Sequence, residues 1–213
     1  MDRLFNPDSP VMSFLSRLAD LIWLNFLTLL CSIPVVTAGA AFTALHYVSI
    51  KMVRNEEGYL TKSFFKSFKE NFFQATAMWL LMLFLAVVAG ADFYFISMMD
   101  SGAAFILRTG LCVVLFFFLC GAVYWFALLA RFENSIKNTI KNACLIGILN
   151  FPKSICILII YAVFLVLYGL FVIRILPLIF LLGISLPVYL ASYLFSGIFK
   201  KLEPQDEEIS QSV

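Results

Sequence analysis

A few ionisable and amide side chains interrupt an otherwise apolar sequence, and they are where chemistry would be sought first. Asp20 and Asn25 lie in the first apolar run, His46 lies near its end, and Asp92 and Arg108 flank a short polar stretch further on. Groups of this kind are costly in hydrocarbon, so by default they mark proton relays, ion paths or substrate contacts. The competing reading is structural. Asp20 and Asn25 are five residues apart, which does not set them squarely on one helical face. Asp92 and Arg108 face each other across a short connection and form a candidate intramembrane ion pair, each offsetting the burial cost of the other. His46 reads first as a packed or interfacial histidine and second as a proton relay.

Catalytic signatures of soluble enzymes are not found. There is no G-x-S-x-G, no H-E-x-x-H and no P-loop. With one histidine in the chain, the nucleophiles lack a base, so no enzyme activity is expected. The five cysteines (Cys31, Cys112, Cys120, Cys144 and Cys156) form no C-x-x-C pair and lie in or beside apolar runs. They read as small packing residues, with no disulfide framework, no metal site and no cofactor expected.

The elements that would position these residues follow from hydropathy. The chain has 213 residues, 62% of them hydrophobic and only 13% charged, and its mean hydropathy is +0.98. An average soluble domain carries about 25% charged residues, and a single soluble core could not hide this much apolar surface. The bilayer is therefore the expected partner. The net charge of +2 gives no reason to expect nucleic acid.

A crossing needs about 20 apolar residues. Residues 75–99, 109–130, 154–173 and 175–199 each come close to or exceed that length, and Asp92 is the one charge among them. The first apolar region, 18–50, is too long for one straight span. Pro34 removes a backbone donor within it, and Thr37-Ala38-Gly39-Ala40-Ala41 supplies small residues. The expected arrangement is a crossing over 18–36 with a continuation to 50 that packs on its neighbours through those small side chains. Two separate short crossings are the alternative. The 37–40 segment also resembles a small-residue cleavage site, but the preceding apolar stretch is long for a signal peptide and its flank is not clearly basic. The sequence thus predicts an all-α, polytopic transmembrane bundle of about five crossings, forming one domain over 1–202. Residues 203–213 form an acidic tail expected to be disordered.

Lysine and arginine placement orients the chain. Segments 51–71 and 131–153 and the Lys200-Lys201 pair are basic, whereas the connections near 100–108 and 174 carry only Arg108 and Arg174. Five crossings then put the basic segments and the C-terminus in the cytoplasm and the N-terminus outside. Leu60, Phe64, Phe68 and Phe72 recur every four residues opposite Lys62, Lys66 and Lys69. Such a helix either lies at the membrane interface or packs on its neighbours. Residues 132–146 repeat the pattern more weakly. Each of these segments precedes two crossings, so 59–130 and 132–199 read as candidate parallel repeats.

The N-terminal third carries a resemblance. Phe5-Asn6-Pro7-Asp8-Ser9-Pro10 is followed by Asp20-Leu21, Leu24-Asn25, the run Leu30 to Ala40, Thr43-Ala44-Leu45-His46-Tyr47 and Phe64 to Phe72. In these residues the chain resembles the YesL-like family of bacterial membrane proteins, which has no assigned activity. Ala38 departs from the isoleucine that the family often has there. The resemblance implies a multi-pass protein of a bacterial cell membrane, and it implies an accessory role beside carbohydrate ABC transporter subunits. It assigns no catalytic residues. An independent small-solute transporter or channel running along Asp20, Asn25 and Asp92 is a second expectation. A membrane scaffold or sensor acting through 51–71 and 131–153 is a third. In every case Asp20, Asn25, Pro34, Thr37, Gly39 and His46 form the candidate functional or packing element.

Overall fold

The computed structural model describes residues 10–56, 58–99 and 102–203. The Phe5–Pro10 motif, apart from the backbone of Pro10, and the tail beyond Glu203 lie outside the described residues. All regular elements among the described residues are helical: α1 Pro10–Cys31, α2 Ala38–Val53, α3 Leu60–Glu70, α4 Phe72–Ser97, α5 Gly102–Ala122, α6 Trp125–Arg131, α7 Ile136–Leu149, α8 Phe151–Leu182 and α9 Ser185–Phe199, with a short 3-10 turn at Val35–Thr37. Among the described residues, six stretches are long and apolar enough to cross a membrane: Val11–Cys31, Val35–Val53, Phe72–Ser97, Gly102–Arg131, Phe151–Phe171 and Phe180–Phe199. The chain is a polytopic transmembrane helical bundle.

Six candidates stand beside the expected count of about five, and the difference lies in residues 18–50, where the alternative of two separate crossings is the one that matches in length and hydropathy. They form two helices rather than one crossing with a continuation. Pro34 cannot donate, and the chain reverses around it. Thr37 closes the turn: its hydroxyl donates to the carbonyls of Cys31 (2.6 Å) and Pro34 (2.8 Å). The helices then run antiparallel. Leu24 and Leu27 of α1 pack with Ala44, Leu45 and Val48 of α2, and Arg17 donates to Asn55 Oδ1 at 2.8 Å. The start of α1 therefore lies at the same end of the bundle as the end of α2. That corrects the expected placement of the N-terminal end opposite the C-terminal one.

α2 is the central helix. It touches α1, α3, α4, α6 and α9, and Ala38, Gly39, Ala40, Ala41, Thr43 and Ala44 are all buried. Small side chains allow neighbouring backbones to approach closely where dispersion supplies the attraction. Gly39 is the tightest point, since a Cβ there would stand 2.5 Å from both the Ala75 carbonyl oxygen and Trp79 Cβ. Gly147 does the same for α7 against α5, where its Cβ would meet the Cys120 carbonyl oxygen at 2.6 Å. α2 ends at Arg54, and Asn55 follows with φ 53°, a left-handed conformation that asparagine tolerates.

α3 resolves the two readings of its amphipathic face. Phe64 and Ser67 are buried and Phe68 is partly so, and the helix packs along α2. Its apolar face is spent on protein. The four later crossings fall close to the expected ranges, with α8 losing helical geometry at Phe171 (φ −122°, ψ 19°). Element order in 60–131 and 136–199 is alike only in outline: a shorter helix, a long span, then an interrupted span, with the interruption near the end of Gly102–Arg131 but near the start of Phe180–Phe199.

One end of the bundle is fastened by charge. Arg54 donates from Nη1 to both carboxylate oxygens of Glu203 at 2.9 Å. Arg131 Nε reaches Glu203 Oε1 at 2.8 Å, and Arg131 also pairs with Glu56 at 3.4 Å. This group ties the ends of α2, α6 and α9 together. Burial opposes charge on Glu203, but hydrogen bonds from Arg131 and Arg54 outweigh it and hold the carboxyl below its ordinary range.

Candidate functional site

Helix is interrupted at three places of interest: the first is the 32–37 turn between the first two membrane-crossing stretches, the second is at Val123-Tyr124, between α5 and α6, and the third is at Gly183-Ile184, before α9. Val123, Gly183 and Ile184 line one cavity, and Trp79 on its wall reaches the first turn. Backbone groups freed within a bilayer must find partners inside the protein, and here the partners can be named.

At the third break the partner is Asn25. In an unbroken helix the Phe180 carbonyl would accept from the Ile184 N–H, four residues on. The helix opens instead, and the Asn25 carboxamide inserts. Its Nδ2 donates to the Phe180 carbonyl at 2.6 Å, and its Oδ1 accepts from Ile184 N (2.8 Å) and Ser185 N (3.0 Å). Asn25 is fully buried. It thus caps the N-terminus of α9 from α1, a role usually filled by a residue adjacent in sequence. Tyr168 adds a hydroxyl donor to the Gly183 carbonyl at 2.5 Å. At the first break Trp79 of α4 donates from Nε1 to the Val35 carbonyl at 2.8 Å, and at the second Tyr124 N bonds back to the Gly121 carbonyl at 3.0 Å.

The cavity between these breaks has a volume of about 440 Å³. Its walls come from α2, α4, α5, α6, α8 and α9, with Phe42, Trp79, Leu119, Tyr161, Leu165 and Val188 among them. Among the described residues, no lysine, arginine, aspartate or glutamate lines it. His46 is on the wall and buried, 5% exposed. Its ring stands edge-on to Phe195 with centroids 5.5 Å apart, and its Nδ1 has no hydrogen-bond partner.

The residues singled out in the sequence fall into two groups. Asn25, Thr37, Gly39 and His46 all bear on the core around α2 and the breaks, and Pro34 sits exposed in the first turn. Asp20 is half-buried on α1, and no ion pair among the described residues holds it. Asp92 and Arg108 are both exposed. They form no ion pair among the described residues, and Arg108 instead lies over the Phe93 ring, 5.7 Å from its centroid. Asp92 lies about 20 Å along α4 from Trp79 at the usual helical rise, so Asp20, Asn25 and Asp92 do not line one path. Sequence reasoning missed Trp79, Tyr168 and Glu203. Each acts through a partner distant in sequence, which no spacing could reveal. Among the described residues no cluster of histidine, cysteine, aspartate or glutamate could hold a metal ion.

A family model described as a protein of unknown function, DUF624, matches residues 21–93. The match begins in α1 and ends in α4, so it takes in Asn25, the 32–37 turn, α2 and α3. No curated protein and no solved structure matches the chain.

Proposed function

We propose that the chain is a non-enzymatic, multi-pass component of a bacterial cell membrane that assists a carbohydrate uptake system of the ABC type. The YesL-like resemblance of residues 5–72 supplies the carbohydrate element of this reading, and the DUF624 match over 21–93 is consistent with it. The observation that carries it against an independent transporter is the state of the polar residues. Asn25 spends both ends of its carboxamide on the α9 break, Asp92 stands apart and exposed, and no charged side chain among the described residues lines the central cavity. A sugar or ion path needs polar groups free to exchange with the solute, and Asn25, the most buried of the three residues of the expected path, is committed to architecture.

In this reading the end of the bundle that carries Arg54, Arg131 and Lys200-Lys201 faces the cytoplasm, as lysine and arginine placement favours. The C-terminal end lies there, together with the start of α1. The test is twofold. Deletion of the gene should lower uptake of at least one oligosaccharide, and affinity purification in mild detergent should recover transporter subunits. Unchanged uptake across the panel together with no recovered subunit overturns the proposal.

One observation favours scaffolding as a second reading. A polar cleft of about 690 Å³ opens at the basic end, edged by Lys66, Asn71, Gln74, Arg131 and Asn134. Crosslinking from Lys66 to a soluble partner in intact cells, with the uptake phenotype absent, would favour it.

A further inference from the structure

We infer that the α1–α2 hairpin is re-entrant: its 32–37 tip docks into the acyl chains of one leaflet, at the basic end of the bundle, and the chain leaves by the side on which it entered. The inference goes beyond the uptake role and does not depend on it.

Both helices are long and apolar enough to cross, so their height beside α4 decides. Trp79 Nε1 of α4 donates to the Val35 carbonyl at 2.8 Å, and a Cβ on Gly39 would meet Ala75 and Trp79. From there α2 runs away from the Ser97 end of α4, because Tyr47 shares a cleft with Ser67, Asn71 and Gln74. The tip is therefore the part of the hairpin nearest Ser97. Unbroken helix from Trp79 to Ser97 covers about 27 Å at the usual rise. A hydrocarbon core is about 30 Å thick. With α4 spanning it, the tip stands about 3 Å inside the near boundary if Ser97 marks the far one, and about 10 Å inside if Asp92 does. Apolar faces of interfacial helices insert to a similar depth.

A full crossing by the hairpin fails on two independent counts. With the tip at the far boundary, about 27 Å of α4 would stand in water. Phe84, Val87 and Phe95, which are 65%, 71% and 66% exposed, would then form a bare apolar surface. α3 would also be drawn inward, since its Phe64 packs with Ala44, Leu45 and Val48. Lys66 lines the same cleft as Tyr47. Tyr47 lies about 14 Å along α2 from Ala38, near the middle of a core about 30 Å thick. The Lys66 side chain is 64% exposed, and Lys62 and Lys69 on the same helix are exposed as well. Lysines at that depth are costly in hydrocarbon. A shallow hairpin leaves them among water and headgroups. It buries Ile33, Val35 and Val36, each half exposed or more, in acyl chains, continuous with the exposed Leu80 and Phe84 of α4.

The native chain, in sealed vesicles with the basic end outward, is treated with a membrane-impermeant amine-acylating reagent, and peptide mass spectrometry maps the modified lysines. Lys66 should react as fast as Lys201. Lys66 left unmodified where Lys201 reacts overturns the inference without any variant. In a background without native cysteines, Val35→Cys and Met99→Cys are treated with an impermeant maleimide from each side. Met99→Cys should react from the side opposite the basic end, and Val35→Cys from neither. A nitroxide on Val35→Cys should collide more often with oxygen, which concentrates in hydrocarbon, than with a water-soluble nickel chelate. Reaction of Val35→Cys from the Met99 side means that the hairpin crosses. Its reaction from the basic side, or collisions dominated by the chelate, means that the tip is not inserted. Either result overturns the inference.

Discussion

Replacing Asn25 by leucine tests the most specific structural claim made above. The side chains are close in size, so the buried volume is largely kept while the carboxamide is lost. Three hydrogen bonds vanish: to the Phe180 carbonyl and from the Ile184 and Ser185 N–H groups. Interhelical hydrogen bonds within a bilayer are worth on average about 0.6 and at most about 1.7 kcal/mol each. The expected loss is therefore about 2–5 kcal/mol, because backbone groups at a break cannot turn to water for compensation. The assay is reversible unfolding in mixed micelles with increasing dodecyl sulfate, followed by circular dichroism. Thr28→Ala is the control, since its buried hydroxyl bonds only within its own helix, to the Leu24 carbonyl at 2.7 Å, and should cost far less. If Asn25→Leu unfolds within about 0.5 kcal/mol of the native protein, the break does not depend on the carboxamide. The helix would then have closed Phe180 to Ile184 by itself, and the capping argument is wrong.

Gly39→Ala should destabilise by about 1–3 kcal/mol even though alanine is the better helix former, since the added methyl meets the Ala75 carbonyl oxygen and Trp79 Cβ at 2.5 Å; the same unfolding assay checks it. Glu203→Gln should weaken the fastening of α2, α6 and α9 at neutral pH. Because the folded carboxyl titrates below its ordinary value, the stability gap between native protein and variant should be present above about pH 4–5 and close as pH falls through the depressed folded value; a gap that widens in acid would refute the assignment. Asp92→Asn and Arg108→Gln should show a coupling below about 0.5 kcal/mol in a double-mutant cycle, as expected of exposed groups that form no pair. In a background without native cysteines, single cysteines at Phe14 and Ser63 should label from the same side of the membrane and a cysteine at Met99 from the other; opposite labelling of the first two would refute the antiparallel α1–α2 hairpin.

Hydropathy and charge made the later crossings legible because each ends where polar or basic residues resume. They did not show that 18–50 is a hairpin. Its turn includes Ile33, Val35 and Val36, which are 73%, 62% and 50% exposed. A turn made of apolar residues leaves no dip in a hydropathy profile. Pro34 and the small-residue run signalled a break, but not whether the chain would continue or reverse. The reversal depends on Thr37 closing onto Cys31 and on α2 finding neighbours for its small residues. Of the residues in the YesL-like motif, Asn25, Gly39 and His46 are buried, and Thr37 closes the first turn. The partner of Asn25 lies near residue 184, and nothing local to Asn25 could have named it. The Asp92–Arg108 pair failed because a short connection brings two helix ends near each other without fixing their facing sides.

The breaks also explain why a cavity exists. α4 crosses in one unbroken run, Phe72–Ser97, which is the simplest solution in hydrocarbon because every interior backbone group is satisfied within the helix. α2 and α9 are shorter, beginning at Ala38 and Ser185, and they pack side by side with Phe42 and His46 of one near Pro187 and Val188 of the other. Longer, straight helices in their places would occupy the space that the cavity fills. Asn25 caps the new helix start at Ser185, and Thr37 closes the turn before Ala38 onto the Cys31 and Pro34 carbonyls. If the breaks served only to let the chain turn, polar loops outside the bilayer would have done so without the need for a buried carboxamide. Closing the third break should therefore shrink the cavity along with the cap: in Asn25→Leu, to the extent that it folds by re-forming the Phe180–Ile184 bond, a single cysteine at Leu119 on the cavity wall, in a background without native cysteines, should react more slowly with a small membrane-permeant maleimide than it does with Asn25 in place. Unchanged reactivity in a folded, straightened variant would separate the cavity from the breaks and refute this link.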